Sequence, residues 1–125
     1  EAADGPARGD ALEHAGSACR AALKAAAGRG DARPEAWRLK GTLEWLHGRR
    51  SAALKWWRRS LAAAQEIAAP YEVARTHLEI GRLTGSAENM ERAAAGFTAV
   101  GANWDLDRTR RLHDSAGGAI PMGRS

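Results

Sequence analysis

The 125-residue sequence has a single cysteine, Cys19, one phenylalanine and one tyrosine. A lone cysteine excludes an internal disulfide and a zinc site built from several cysteines. Valine, isoleucine and threonine are few and do not alternate with polar residues, so the sequence does not favour β-strands. No apolar run approaches the roughly 18 residues that a membrane-spanning helix requires. We therefore predict no membrane span and expect a cytoplasmic location.

Motifs for catalysis and for cofactor binding are missing as well. The sequence contains no HExxH, CxxC, GxxxxGK[ST] or GxSxG pattern. Its four histidines are dispersed, at His14, His47, His77 and His113. We interpret His77, on an apolar stripe, as a packed side chain, and Cys19 as a core residue among alanines and leucines. The sequence thus predicts a protein that is not an enzyme and that has no cofactor or metal.

Alanine and leucine supply most of the 44% apolar residues, and both favour helix. Their three- and four-residue spacing, divided by Gly and Pro, predicts helices over about 10–27, 34–47, 50–68, 71–84, 87–100 and 103–114. The fold class predicted is all-α. Residues 1–9 and 115–125 lack this periodicity, so we expect a disordered lead-in and a disordered tail.

A set of small and aromatic residues recurs in the sequence at a spacing of 40 residues. Gly41, Ala53 and Trp57 recur as Gly81, Ala93 and Phe97, and Trp37 precedes the first set by one helical turn. These positions resemble the marker residues of a tetratricopeptide repeat. His77 stands where a large apolar residue is usual in that pattern, and Lys40 stands where leucine is common.

The resemblance implies a right-handed solenoid of antiparallel helix pairs with about six helices. Its parts would be a partial unit at 10–27, units at 34–68 and 71–100, and a capping helix at 103–114. The small residues would let the two helices of a unit approach, and the aromatic residue would fill the gap between that pair and the next. The long repeat is similar to the C-terminal arrays of large bacterial signalling proteins: ATPase-linked regulators, class III adenylate cyclases and Ser/Thr kinases.

Such arrays bind other proteins, so the resemblance implies a non-enzymatic protein–protein interaction module and a protein or peptide partner. The chain would then be a fragment of a larger signalling or regulatory protein. The concave surface of a solenoid is lined by the first helix of each pair. The candidate partner-binding residues on those helices, taken as exposed, are Arg38, Glu44, Arg75, Glu79 and Arg82.

A basic, tryptophan-rich edge gives an alternative. The net charge of +4 lies wholly within residues 34–68, which hold seven basic and three acidic side chains. Arginine and lysine neutralise phosphates and tryptophan stacks on bases, so this edge could bind nucleic acid. A further alternative is a non-catalytic part of a multidomain cyclase or kinase. The candidate residues of the edge are Arg49, Lys55, Trp56, Arg58 and Arg59.

Overall fold

A computed structural model describes residues 4–119 of the chain, with the side chains of residues 9–115. Over that range the protein is all-α, with no strand. Six α-helices span Asp4–Ala26 (α1), Arg33–Leu46 (α2), Arg50–Glu66 (α3), Pro70–Thr84 (α4), Ala87–Val100 (α5) and Asn103–Ala119 (α6). A short 3₁₀ turn, Gly30–Ala32, precedes α2. The chain divides into two compact units, with the boundary between Ala68 and Ala69.

The first and the last helix extend beyond their predicted bounds, into the predicted lead-in and tail. Helix α1 begins at Asp4, and α6 continues to Ala119. Pro6 falls in the first turn of α1, where its missing N–H is not needed. The glycines near the end of α6 cost about 1 kcal/mol each against alanine but do not block the helix. The rest of the predicted tail, 120–125, lies outside the described residues.

In the first unit, α2 and α3 form an antiparallel pair around Trp57, which is fully buried. A Cβ atom added at Gly41 would lie 2.5 Å from Nε1 of Trp57, so only glycine leaves room for this ring. Nε1 of Trp57 donates to the backbone carbonyl of Arg38 at 3.1 Å, and the Trp45 ring centroid lies 5.8 Å away. These contacts place the aromatic ring inside its own pair, whereas the sequence pattern assigned it to the gap beyond.

In the second unit, α4 and α5 pack through a core of Ala74, Leu78, Met90, Ala93 and Phe97. A Cβ atom added at Gly81 would lie 2.6 Å from the sulfur of Met90. Gly41 and Gly81, which are 40 residues apart in the sequence, therefore each mark a close approach of two helices. The contacts differ, however, because Gly81 meets a residue at the start of α5, while Gly41 meets one near the middle of α3.

Helix α6 buries polar as well as apolar side chains. Of its apolar residues, Leu106 and Leu112 pack against the core of the second unit, whereas Trp104 is 68% exposed. Asp105 and Thr109 are buried. The hydroxyl of Tyr71, in α4, donates to Oδ2 of Asp105 at 3.0 Å, and Asp105 lies one residue, about 100° around the helix, from the exposed Trp104. Among the described residues no helix is long and apolar enough to cross a membrane.

Candidate functional site

A cleft of about 540 Å³ opens in the first unit between the start of α2 and the C-terminal half of α3, beside the 3₁₀ turn. We call it the Trp37 cleft. Its volume falls in the range of about 300–1,000 Å³ that is typical of binding pockets. The residues that line it are Gly30, Arg33, Trp37, Arg59, Ala62, Ala63, Glu66 and Ile67.

Helical spacing and two buried hydrogen bonds build the cleft. Arg33 and Trp37 are four residues apart and share one face of α2. The hydroxyl of Ser60 donates to the carbonyl of Pro34 at 2.7 Å, in addition to the bond from Trp57 further along the pair. These bonds fix the register of the two helices, so the start of α2 faces the second half of α3.

The wall of the cleft continues into a pair of tryptophan rings that contact each other at an angle. The rings of Trp37 and Trp56 lie 6.3 Å apart between centroids, tilted by 50°. The guanidinium carbon of Arg59 lies 4.8 Å from the centroid of the Trp56 ring, within cation–π range. Trp56, which the repeat pattern does not explain, thus packs against α2 and holds Arg59 at the cleft.

The rim of the cleft carries two positive charges and one negative charge. Arg33, Arg59 and Glu66 are all exposed. None of the three forms an ion pair within the described part of the chain. Charged groups without a partner of opposite sign are available to a ligand, and guanidinium groups suit carboxylates because they donate two parallel hydrogen bonds.

Two predicted partner-binding residues on α2 are not exposed. Arg38 is 3% and Glu44 is 7% exposed, so the expectation that both are exposed is wrong. Glu44 accepts a hydrogen bond from Arg49 at 3.0 Å and pairs with Lys40 at 3.2 Å. The hydrogen bond from Arg49 lowers the pKa of the Glu44 carboxyl, against the opposing effect of burial. Helix α2 is buried on more than one side, which a single amphipathic stripe does not predict.

The predicted residues on α4 lie in the second unit and take no part in the cleft. Arg82 is exposed and pairs with Glu79 at 3.0 Å. Arg75 is half-buried, and its guanidinium carbon lies 5.9 Å from the Tyr71 ring centroid. These three candidates are thus engaged with neighbours on their own helix.

The predicted basic edge is divided in the structure. Arg49 is paired with Glu44, and Arg50 lies over the Trp45 ring at 4.6 Å. Lys55 and Arg58 are exposed and form no ion pair within residues 9–115. The Trp37 cleft itself was missed from the sequence, although Arg33 and Trp37 at four-residue spacing were a usable signal.

The remaining titratable candidates serve packing. Nδ1 of His77 lies 2.8 Å from Oδ1 of Asn89, so this half-buried histidine is hydrogen-bonded across the α4–α5 pair. Cys19 is 2% exposed, and burial raises the pKa of its thiol. Within the described residues no group of three or more His, Cys, Asp or Glu side chains could hold a metal ion.

Comparison of the chain with protein-family models, curated proteins and solved structures finds no match.

Proposed function

We propose that this chain is a non-enzymatic protein–protein interaction module that holds a segment of a partner protein in the Trp37 cleft. The observation that carries the proposal is the cleft itself, which combines an apolar wall with rim charges that form no ion pair among residues 9–115. Pockets of this composition orient a ligand through a few polar groups and gain affinity from apolar contact.

The tetratricopeptide-like architecture belongs to the same proposal. Gly41 and Gly81 mark close helix approaches in antiparallel pairs, as the resemblance requires. We propose that these pairs are units of a right-handed solenoid from a larger bacterial signalling protein. The cytoplasm is the proposed location.

Nucleic-acid binding is the second candidate, and the exposed cations Lys55 and Arg58 favour it. Base stacking needs an open aromatic face, and the Trp56 ring is in contact with both Trp37 and Arg59. The aromatic part of that alternative is therefore weakened, while the peptide-binding proposal uses the same contacts as a preformed wall.

A phage-displayed library of random twelve-residue peptides tests the proposal. Peptides selected on the wild-type protein are measured against Ala62→Trp, which fills the cleft, and against Ala95→Trp, at another exposed alanine, on α5. We expect binding to be lost in the first variant and kept in the second. Selected peptides that bind both variants as they bind the wild type would show that the cleft is not the site.

A further inference from the structure

The apolar part of the Trp37 cleft has room for one large side chain. Trp37, Ala62, Ala63 and Ile67 form its apolar lining, and Ile67 is 40% exposed although it is a large hydrophobic residue. Covering this surface removes apolar area from water. The opening of about 540 Å³ accommodates a phenylalanine or leucine side chain together with its backbone.

The charged part of the cleft selects for carboxylates. Arg33 stands on the α2 side and Arg59 on the α3 side, so two guanidinium groups flank the apolar lining. The Trp56 ring holds Arg59 in place, which reduces the conformational entropy lost on binding. Lys55 and Arg58 add positive charge on the same helix, and opposite charges on a partner would steer its approach.

Glu66 makes the charge at one part of the cleft rim negative, opposite to that at Arg59. It lies seven residues beyond Arg59 on α3, about 10 Å along the helix axis. A carboxylate bound near Glu66 would be repelled, whereas one bound near Arg59 would be attracted. The acidic residues of a ligand should therefore lie toward Arg59 rather than toward Glu66.

We propose that the occupant of the Trp37 cleft is an acidic peptide segment with one bulky apolar side chain. The apolar side chain enters between Trp37 and Ile67, and carboxylates beside it pair with Arg33 and Arg59. This inference rests on the proposed function and specifies the partner of the same site.

Three synthetic peptides test the charge requirement. Each has nine residues with blocked ends and a central phenylalanine, flanked on each side by two glutamates, two glutamines or two lysines. Fluorescence anisotropy with the labelled peptides gives their dissociation constants. We expect the glutamate peptide to bind about tenfold more tightly than the glutamine peptide, and the lysine peptide to bind most weakly.

Matched variants separate the cleft from general electrostatics. Arg59→Glu and Arg58→Glu change the net charge equally, but only Arg59 lines the cleft. We expect the first to weaken binding of the glutamate peptide about tenfold and the second less than about threefold. Arg33→Glu repeats the test without disturbing the Trp56 contact, and Glu66→Lys should tighten binding. Circular dichroism and thermal melting verify that each variant is folded.

Different failures are distinguishable. Equal binding of the three peptides, or equal losses in Arg58→Glu and Arg59→Glu, would overturn the acidic-peptide inference. Library-selected peptides that are neutral or basic yet sensitive to Ala62→Trp would also overturn it, while leaving the proposed function intact. Tighter binding of oligothymidylate than of any peptide, weakened equally by both arginine variants, would contradict both and favour nucleic acid.

Discussion

The indole ring of Trp57 occupies the space beside Gly41 that a Cβ atom would need. An added Cβ atom would lie 2.5 Å from Nε1 and closer still to Cδ1. Trp57 is fully buried and is held by its hydrogen bond to the carbonyl of Arg38. The ring cannot move away without breaking that bond, so Gly41 sets how closely α2 and α3 approach.

Gly41→Ala should destabilise the protein by about 1–3 kcal/mol, because the methyl group overpacks a rigid contact. The matched control is Gly16→Ala in α1, where the nearest atom to an added Cβ is the flexible end of Arg20, at 3.3 Å. That change should be neutral or stabilising by up to about 1 kcal/mol, since alanine favours helix. Urea unfolding of both variants measures the difference. Equal effects would contradict the proposed role of Gly41.

How much of the structure could be predicted differs between elements. The boundaries of α5 agree with the spacing of apolar residues and with Ser86, whose hydroxyl accepts from the backbone N–H of Asn89 as the helix cap. Caps and periodicity are local signals, and short sequence windows contain them.

The orientation of α6 and the burial of Arg38 and Glu44 are not local. They depend on packing against other helices: Tyr71 in α4 meets Asp105, Trp57 in α3 donates to the carbonyl of Arg38, and α1 and α3 both pack on α2. Buried polar groups of this kind look like exposed ones in the sequence, because only the fold shows which of them the neighbouring helices cover. The Trp37 cleft was missed for the same reason, since its walls come from two helices and a turn.

Acid should remove the contribution of Glu44 to stability. Because its pKa is lowered in the folded protein, chiefly by the hydrogen bond from Arg49, the carboxylate stabilises the fold above the usual glutamate pKa of about 4.3. This stabilisation is lost as the pH falls through the folded-state pKa. Glu44→Gln should therefore be less stable than wild type at pH 7, and this difference in the free energy of unfolding should disappear in acid.

Urea unfolding of wild type and Glu44→Gln across pH 2–7 measures this. Glu88→Gln is the control, because Glu88 forms an ion pair with Arg92 but its side chain is 72% exposed. Exposed pairs contribute about 0–1 kcal/mol, so the control should lose little at pH 7. If the free energies of unfolding of wild type and Glu44→Gln differ by the same amount down to pH 2, the effect does not come from the charge of Glu44.

The hydrogen bond between Tyr71 and Asp105 should hold α6 in its observed orientation. Tyr71→Phe keeps the ring against Phe97, at 5.7 Å between centroids, and removes only the hydroxyl donor to a carboxylate that is 9% exposed. We expect a loss of about 1–2 kcal/mol in thermal or urea unfolding. Trp104→Ala, at the neighbouring exposed position, should change stability by less than about 0.5 kcal/mol. The reverse order of effects would indicate that α6 packs through Trp104.

The thiol of Cys19 should react slowly in the folded protein. It is 2% exposed, and burial raises its pKa, so access and thiolate formation are both reduced. Modification by a disulfide reagent at pH 8 should therefore be slow in buffer and fast in denaturant. Ala95→Cys adds an exposed thiol on α5 as an internal control, and this variant should show one fast and one slow phase of equal amplitude. Two fast phases in buffer would mean that the first unit opens readily around Cys19.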